Sequence, residues 1–361
     1  MTAAVYRGVN DVRVERVPVP QIGPGELLVR VHTCGVCGTD LKKIATGSHS
    51  APRIFGHETA GTIVGVGDGV KGFAPGERVI VFHHIPCGRC YYCKHKTFAQ
   101  CPVYKQVGAT AGFEPSGGGF AEYVRVLEWI VNPGDGAAGA PAPGVVRIPD
   151  GVSLEQASFV EPVNTCMKAI ANLRLEADET VLVIGQGPIG IMLAALARRS
   201  GARVITTDLF APRLTMAQAF GITEALDGSR VDVRQHVLEA TSGRGADAVV
   251  LAVGNNRLIA GAIEAARPGG RVLLFAQTQH SQASFDPAVV CVDEKTLLGS
   301  YSASIDLQQE SARLVFSGEI PLERLITHRY PLAQAVEALE RAAHPQPDSM
   351  KIVIQPATAG A

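Results

Sequence analysis

Four cysteines that lie close together in the first third of the chain could hold a metal ion. They follow the spacing C-x2-C-x2-C-x7-C and are Cys87, Cys90, Cys93 and Cys101. Four thiolates form a closed tetrahedral site, which suits a structural zinc and leaves no position for a substrate. An iron–sulfur cluster is the chemical alternative, since it also uses four cysteines, and a disulfide pair would fit a secreted protein better. We expect a metal that stabilises this lobe and does no chemistry.

A second set of candidate ligands precedes the first and combines three kinds of side chain. Cys37 stands in Cys-Gly-Thr-Asp, and His57 and Glu58 stand in Gly-His-Glu twenty residues later. A thiol, an imidazole and a carboxylate from two loops are the ingredients of an open, catalytic zinc site. A histidine beside a glutamate is more often a satisfied polar pair, so this signal is weaker than the first. Cys34 and Cys37 also form a C-x-x-C pair, but no thioredoxin-like context surrounds it.

A glycine-rich turn in the middle of the chain has the spacing of a dinucleotide-binding motif. Residues 185–190 read Gly-Gln-Gly-Pro-Ile-Gly, with an apolar strand pattern before them and a helical pattern after them. Gly185 would make the tight turn, Gly187 would let a pyrophosphate approach the backbone, and Gly190 would permit close helix–strand packing. The start of the helix would then offer free N–H groups to the phosphates.

An acidic residue closes the second strand of this pattern and favours NAD over NADP. Asp208 follows Gly190 by 18 residues, where a carboxylate can bind both ribose hydroxyls and would repel a 2′-phosphate. Arg213 could instead serve NADP, but we expect it on the next helix as a solvated charge. The predicted cofactor-binding residues are Gly185, Gly187, Pro188, Ile189, Gly190, Asp208, Arg213 and Val253.

The elements that position these residues fall into two types. Up to about residue 150, short β segments are separated by Gly and Pro, which indicates a compact, barrel-like β domain. Strands are predicted at 12–15, 26–31, 62–67, 75–81 and 145–148, with a surface loop over 132–144.

From about Leu154 helical stretches alternate with apolar strands, which indicates a doubly wound parallel sheet. Strands are predicted at 180–184, 203–207, 248–252 and 271–275, and a helix at 332–343 and a strand at 351–354 follow. We predict an α/β protein whose first domain comprises 1–155 with 295–361 and whose nucleotide-binding domain comprises 156–294.

Length and charge restrict the class of protein. A chain of 361 residues is long enough for two domains, and a net charge of −1 offers no footprint for nucleic acid or an anionic membrane. No apolar run approaches the roughly 20 residues that span a bilayer, and the start lacks the layout of a signal peptide. We therefore expect a cytoplasmic protein with neither a nucleic-acid nor a membrane partner.

Taken in order, these motifs resemble the zinc-dependent medium-chain dehydrogenase/reductase superfamily, in particular its sorbitol, threonine and glucose dehydrogenase branch. Cys-Gly-Thr-Asp, Gly-His-Glu-x-x-Gly, the four-cysteine lobe and the glycine turn occur in the order of that family, as do residues 117–124 and 349–354. The resemblance implies a GroES-like catalytic domain, a Rossmann domain with a cleft between them, a catalytic and a structural zinc, and NAD. Homo-oligomers, dimers or tetramers, are usual in this family.

The resemblance also implies the ligands of the catalytic zinc. It assigns Cys37 and His57, with Glu58 as a close neighbour able to ligate. The third protein ligand would be Glu161, in a Glu-Pro like that of sorbitol- and glucose-dehydrogenase relatives, and Cys166 is its rival. Cys34 and Cys291 we expect to be ordinary buried thiols.

Three neighbours of Cys37 are predicted to act in catalysis. Zinc would bind the substrate hydroxyl and lower its pKa, and the alkoxide would pass hydride to the nicotinamide. Thr39 would take the hydroxyl proton, and Asp40 would either orient His57 or cap a turn. Lys42 stands where many relatives have a histidine, and it could carry the proton onward, contact a cofactor phosphate or be solvated.

The substrate class is predicted from the carboxylate ligand. Glu161 in place of a thiolate makes the site more polar, which favours polyols, sugars or secondary alcohols, with threonine-type amino alcohols as an alternative. By resemblance, the residues plausible for the pocket are His83, His84 and Phe120. The other classes to weigh are zinc-free quinone or enone reductases and a non-catalytic nucleotide-binding protein.

Overall fold

The computed structural model describes residues 1–82, 85–104, 117–131, 144–276 and 282–356. The strands, numbered in chain order, are β1 (Thr2–Gly8), β2 (Asp11–Arg16), β3 (Leu27–Gly35), β4 (Arg53–Ile54), β5 (Glu58–Val66), β6 (Arg78–Val81), β7 (Tyr123–Val126), β8 (Val145–Arg147), β9 (Thr180–Ile184), β10 (Arg203–Asp208), β11 (Glu224–Asp227), β12 (Ala246–Leu251), β13 (Ala266–Leu274), β14 (Thr296–Gly299), β15 (Ile326–Pro331) and β16 (Lys351–Gln355).

The helices are numbered in the same way. They are α1 (Gly38–Thr46), α2 (Tyr91–Lys94), α3 (Glu128–Val131), α4 (Leu154–Ser158), α5 (Val160–Leu173), α6 (Pro188–Arg199), α7 (Ala211–Ala219), α8 (Val233–Ala240), α9 (Leu258–Ala265), α10 (Ala288–Cys291), α11 (Gln308–Ser317) and α12 (Ala335–Ala343). Short 3₁₀ turns cover Phe98–Gln100, Ile305–Leu307, Leu322–Leu325 and Leu332–Gln334.

The chain forms two compact units. One comprises Met1–Pro162 with Ser304–Ala361, and the other comprises Val163–Ala303. The second unit is therefore one continuous stretch of chain, whereas the first is assembled from both ends of the sequence.

The unit formed by Val163–Ala303 contains a six-stranded sheet in the order β11-β10-β9-β12-β13-β14, and every pairing in it is parallel. This is the doubly wound arrangement in which the strand order reverses beside the first strand, here β9. Its core is aliphatic, because parallel strands covered by helices on both faces have no side exposed to water. Leu182, Ile205, Val249 and Ile263 are all at most 1 % exposed.

The other unit contains a mixed sheet in the order β15-β16-β3-β5-β6-β8, in which β7 also pairs with β3. β15 and β16 are parallel and the remaining pairings are antiparallel. A small antiparallel sheet, β2-β1-β4, completes it. Strand β16, from the end of the chain, thus lies directly beside β3 from its beginning.

The predicted strands and the final helix are found, with two differences. The helix predicted at 332–343 begins as a 3₁₀ turn and becomes α-helical at Ala335. Helix α1 was not foreseen, because the first domain shows few helical periodicities. It forms through its ends: Asp40 at the third helical position completes a capping box with Cys37, and Gly47 ends the helix at φ 64°. The loop predicted at 132–144 lies outside the described residues except for Gly144.

Candidate active site and metal centres

Two neighbouring strands position the first set of candidate ligands. β3 and β5 are antiparallel, and Gly35 at the end of β3 pairs with Glu58 at the start of β5. Cys37 follows Gly35 by two residues and His57 immediately precedes Glu58. Because antiparallel partners run past each other, the segment leaving one strand meets the segment entering the other. Sheet register therefore brings together residues that are twenty positions apart.

Cys37, His57 and Glu58 form a cluster whose candidate ligand atoms all lie within 4.8 Å of one another. Zinc bonds of about 2.0 to 2.3 Å at tetrahedral angles need donors about 3 to 4 Å apart, so this spacing is close to that of a zinc site. His57 and Glu58 are 9 % and 1 % exposed. Glu58 Oε2 is buried and already pairs with a buried ammonium, that of Lys351.

Asp40 holds both the imidazole and the thiol of this cluster in place. Its Oδ1 lies 3.1 Å from His57 Nδ1, and its Oδ2 accepts a hydrogen bond of 3.3 Å from the backbone N–H of Cys37. Burial opposes ionisation of Asp40, but His57 and Lys43 hold the pKa of the carboxyl below its usual range overall. Burial likewise disfavours the charged imidazole of His57, but Asp40 and Cys37 raise its pKa well above the usual value. Asp40 therefore makes the contacts that both of its alternative roles, orienting His57 and capping, require.

Thr39 lies beside the same thiol. Its hydroxyl donates a hydrogen bond of 3.2 Å to Cys37 Sγ. Thr39 is in the first turn of α1, so it projects from the same short segment that carries the thiol and Asp40. A hydroxyl in this position can contact a group bound at the cluster.

Lys351 is the residue of this site that we did not predict. Its Nζ forms an ion pair with Glu58 Oε2 and donates a hydrogen bond of 3.1 Å to the Val36 carbonyl. The residue is 5 % exposed. Burial alone would lower its pKa, but attraction by Glu58, Cys37 and Glu161 raises it overall. A lysine at the start of an apolar strand, Lys-Ile-Val-Ile, was the only sequence signal for it.

The structure does not bring the other predicted ligand candidates into the cluster. Glu161 lies in the first turn of α5, near enough to Lys351 to raise the pKa of that lysine, but outside the group of atoms within 4.8 Å. Cys166 is fully buried and its thiol points to the Ile189 carbonyl at 4.0 Å. Cys34 is buried, as predicted, and burial raises the pKa of its thiol to about 12.

Two predictions about individual residues are wrong. Cys291, expected to be buried, is exposed, because it ends the short helix α10 at the surface. Arg213, expected to be solvated, has a side chain only 15 % exposed. Arg213 Nη1 lies 3.7 Å from Asp208 Oδ2, and the guanidinium lies 4.9 Å from the centre of the Phe210 ring. An opposite charge and an aromatic face within reach of its long side chain draw it inward.

Four other predicted site residues have mixed outcomes. Lys42 is half-buried on α1, where its carbonyl accepts a hydrogen bond from Thr46. Phe120 is 1 % exposed, and its backbone N–H donates to the Phe55 carbonyl at 3.0 Å. His83 and His84 lie outside the described residues.

The four-cysteine lobe is assembled as a second candidate metal centre. The thiols of Cys87, Cys90, Cys93 and Cys101 all lie within 4.8 Å of one another, and none forms a disulfide. Cys90 and Cys93 approach to 3.5 Å, and the Cys87 N–H lies 3.4 Å from Cys101 Sγ. Burial opposes ionisation of Cys87, but backbone N–H groups of Arg89 and Cys90 lower its pKa to about 7. Four sulfurs at this spacing fit a tetrahedral zinc with no open position.

The glycine turn has the geometry that its three glycines predict. Gly185 has φ 95° and lies against Val253, which a Cβ on Gly185 would meet at 3.1 Å. A Cβ on Gly187 would meet nothing within 4 Å, so the backbone there is open to a ligand. A Cβ on Gly190 would lie 1.9 Å from the Gly185 carbonyl oxygen. Pro188 and Ile189 occupy the first two positions of α6; proline has no N–H, so the Ile189 and Gly190 N–H groups of this first turn are the ones that could bind an anion.

Asp208 ends β10 beside this turn. Its Oδ2 accepts a hydrogen bond of 2.6 Å from the Gln186 N–H, and its Oδ1 accepts from Leu209 and Phe210 at 2.8 and 3.1 Å. The carboxylate is thereby fixed at the glycine turn. A carboxylate can accept four hydrogen bonds, so capacity remains for a ligand.

Known proteins match this arrangement over the whole chain. Residues 23–134 match the alcohol dehydrogenase GroES-like domain, and residues 188–317 match the zinc-binding dehydrogenase domain. The (R,R)-butanediol dehydrogenase of Neisseria gonorrhoeae is 30 % identical over 99 % of both chains. The sorbitol dehydrogenase of Bacillus subtilis is 28 % identical over 99 % of this chain and 97 % of its own length. A Sinorhizobium meliloti protein whose crystal structure is bound to NADP superimposes with a TM-score of 0.86, at 28 % identity and over 98 % of this chain and 99 % of its own.

A GroES-like unit with a metal-ligand cluster, together with a doubly wound unit carrying a glycine turn, defines a nucleotide-dependent dehydrogenase. The chain belongs to the zinc-dependent medium-chain dehydrogenase/reductase family of alcohol and polyol dehydrogenases. It is an oxidoreductase that uses zinc and a nicotinamide cofactor. The predicted family and fold class are confirmed. In the described part of the chain, no helix has both the length and the apolar character needed to cross a bilayer.

Proposed function

We propose that this chain is an NAD-dependent dehydrogenase that oxidises a hydroxyl-bearing carbon of a polyol, sugar or secondary alcohol, and that it holds one catalytic and one structural zinc. The observation that carries the proposal is the cluster of Cys37, His57 and Glu58 with the Thr39 hydroxyl at its edge. Its curated relatives act on sorbitol and (R,R)-butanediol, both of which carry several hydroxyl groups.

Cys37 and His57 would hold the catalytic zinc, and Glu58 or Glu161 would supply a carboxylate. When bound, zinc polarises a substrate hydroxyl and makes it a stronger acid. Lys351 holds Glu58 by an ion pair, so Glu58 can be shared between lysine and metal. Glu58 would then be held by Lys351 while it remains able to reach a metal at the cluster.

Proton transfer falls to Thr39. Its hydroxyl can accept the substrate proton while donating its own hydrogen, and it already lies 3.2 Å from a ligand atom. Lys42, three residues further along α1, lies on the same face of the helix and is the next charged group outward. We assign Lys42 to the outer end of this proton path, where other family members carry a histidine.

Asp208 favours NAD. Its carboxylate is fixed at the end of β10 by three backbone N–H groups, and a 2′-phosphate brought close to it would be repelled. Arg213, paired with Asp208 at 3.7 Å, partly neutralises this charge and is the group that would receive a 2′-phosphate if NADP bound instead. We expect kcat/KM to favour NAD by about tenfold or more, an energy difference of about 1.4 kcal/mol.

The experiment is a screen of polyols, sugars and secondary alcohols with NAD and with NADP, in which absorbance of the reduced cofactor is followed. Zinc per chain is measured on the same preparation, and we expect two atoms. Cys37→Ala should abolish turnover and remove one zinc. Cys34→Ala is the matched control, because it removes a buried thiol three residues away that lies outside the cluster.

Failure of zinc-loaded protein to oxidise any hydroxylated compound would contradict the proposed function and favour a non-catalytic nucleotide-binding role. Turnover by Cys37→Ala at the wild-type rate would contradict the assignment of the catalytic metal. We further propose a cytoplasmic homo-oligomer, which fractionation and light scattering can test.

A further inference from the structure

Two basic side chains lie against the ring of Phe55, which precedes His57 by two residues. Lys43 Nζ lies 5.7 Å from the centre of the Phe55 ring, and the His49 ring packs edge-on against it with centroids 5.8 Å apart. Arg53 lies in β4, two residues before Phe55, and its charge acts on His49. We call Lys43, His49, Arg53 and Phe55 the Phe55 cluster.

The Phe55 cluster is built next to the residue proposed to move the substrate proton. Lys43 follows Thr39 by four residues on α1, and side chains at this spacing share a face of the helix, with Cβ atoms about 5 to 6 Å apart. Phe55 is 5 % exposed and its carbonyl is held by the Phe120 N–H at 3.0 Å. The Phe55 ring is therefore fixed in position. Lys43, on the same helix as Thr39, packs its ammonium against this ring.

Within the described residues, the two cations of this cluster, Lys43 and Arg53, are not held in ion pairs. In the same part of the chain, Arg53 Nε is buried without a hydrogen-bond partner. Asp40 interacts electrostatically with Lys43, but its two oxygens already contact His57 Nδ1 and the Cys37 N–H. A partly buried guanidinium with an unmet donor is costly unless something else meets it.

The pKa of His49 is affected by these positive charges. Burial, followed by the charges of Lys43 and Arg53, lowers its pKa to about 4. Two cations on different elements therefore act on one imidazole. Its Nδ1 lies 3.0 Å from Ser48 Oγ. A neutral imidazole held in this way can still donate a hydrogen bond to a ligand through its other nitrogen.

We propose that the Phe55 cluster binds an anionic group of the substrate, so that the preferred substrate is a hydroxylated compound carrying a carboxylate or a phosphate on a carbon other than the one oxidised. This inference rests on the proposed function and narrows its substrate class. Arginine offers a planar fork that matches either oxyanion, and lysine adds a compact charge beside it. An oxyanion bound at this cluster would satisfy Arg53 Nε and offset the charge of Lys43.

The test compares three compounds of one carbon skeleton: a hexitol, its 1-phosphate and the matching hexonate, across several stereoisomers. kcat/KM is measured with NAD for the wild type and for Lys43→Met/Arg53→Met, in which methionine keeps an apolar stem against Phe55. Lys71→Met removes an exposed lysine outside the cluster and is the control.

For the wild type, we expect one of the two anionic compounds to exceed the neutral hexitol in kcat/KM by about tenfold or more, as charge-assisted hydrogen bonds would give. Which one does so identifies the oxyanion as phosphate or carboxylate. The double variant should lower this ratio by about tenfold, mainly through KM, and the control should leave it unchanged. Calorimetric titration of the same compounds without cofactor should show the same order of affinity.

Outcomes that overturn this inference differ from those that overturn the proposed function. Oxidation of the neutral hexitol at an equal or higher kcat/KM, with an unchanged ratio in the double variant, removes the anion site but leaves the dehydrogenase. A rise in KM for NAD alone would assign Lys43 and Arg53 to a cofactor phosphate and overturn it too. Absence of all oxidation, with calorimetric binding that depends on Lys43 and Arg53, would support the anion site and reject the dehydrogenase. If the double variant does not fold, Lys43→Met alone tests the same ratio.

Discussion

Asp40 divides its carboxylate between His57 and the helix that begins at Cys37. One oxygen lies 3.1 Å from His57 Nδ1 and the other accepts the Cys37 N–H at 3.3 Å. A single buried side chain thus fixes the ring of one proposed zinc ligand and the backbone of another. Loss of Asp40 would therefore release both proposed ligands at once.

Replacement of Asp40 by asparagine should weaken the catalytic metal. Asparagine keeps the size and can keep the capping contact, but it loses the charge that fixes the imidazole. Loss of such a partner typically costs about 10- to 100-fold in metal affinity or activity. Competition with a zinc chelator, with kcat measured in parallel, checks this, and zinc affinity equal to that of the wild type would show that the charge is dispensable.

Thr39 can be tested with a matched pair of variants. Thr39→Val removes the hydroxyl at constant shape and should lower kcat by about 100-fold or more, because proton transfer by a positioned group is worth that much. Thr39→Ser keeps the hydroxyl and should retain most of the activity. NAD affinity, measured by fluorescence titration, should be the same in both. Equal turnover by the valine and serine variants would remove Thr39 from the proton path.

Two glycines of the same turn should respond differently to alanine. A Cβ at position 190 would lie 1.9 Å from the Gly185 carbonyl oxygen, whereas one at position 187 meets nothing within 4 Å. Gly190→Ala should lower Tm, since overpacking costs about 1 to 3 kcal/mol. Gly187→Ala should fold normally and bind NAD more weakly, because the methyl group occupies space that the pyrophosphate needs. Calorimetry and NAD titration separate these effects, and the reverse order would contradict the packing described here.

Removal of one lobe thiol should separate the structural metal from the catalytic one. Cys93→Ala removes a buried member of the four-cysteine lobe. We expect zinc to fall from two atoms to one per chain and Tm to drop, since structural zinc contributes folding energy. Cys291→Ala, which removes an exposed thiol outside both clusters, is the control. An unchanged zinc content in Cys93→Ala would show that the lobe holds no metal.

Stability should depend on pH through Glu155, which links α4 to the last strands of the chain. Both of its oxygens accept hydrogen bonds of 2.7 Å from Arg329, and Gln355 donates a third at 2.7 Å. Hydrogen bonds from Arg329, which outweigh burial, lower its pKa below the ordinary value of 4.5. Because the folded pKa is the lower one, the stabilisation is present above the unfolded pKa and is lost as the pH falls through the folded pKa.

Glu155→Gln should therefore lower Tm by about 2 °C or more at pH 7. The difference in Tm between wild type and variant should shrink progressively as the pH falls below about 4.5. Glu176→Gln, at an exposed carboxylate outside the helices, is the control and should leave Tm unchanged throughout. A Tm difference for Glu155→Gln that is constant with pH would mean that the charge contributes nothing.

The sequence predicted best those features that depend on neighbouring positions. The glycine turn, the strand before it and the helix after it are local, and the roles of Gly185, Gly187 and Gly190 agree with the geometry. The four cysteines of the lobe also lie within one short segment. In both cases spacing along the chain alone determines which atoms can meet.

Features that depend on distant contacts could not be predicted in the same way. Arg213 was expected in solvent because its position on a helix says nothing about the carboxylate and aromatic ring that hold its side chain. Lys351 was missed because its partners Glu58 and Val36 come from the other end of the chain and meet it only through the pairing of β16 with β3. Likewise, Lys43 on α1 and His49 meet the Phe55 ring only in the folded chain.

The position of Lys351 in the chain also affects the order in which parts of the protein can fold during synthesis. Its hydrogen bond to the Val36 carbonyl joins residues 315 positions apart. At a synthesis rate of about 5 to 20 residues per second, roughly 15 to 60 s pass between the synthesis of Glu58 and that of Lys351. The continuous unit of Val163–Ala303 can fold during that interval, whereas the sheet that carries the ligand cluster lacks its strand from the chain end. We therefore expect the proposed zinc site at Cys37 and His57 to be completed late in maturation.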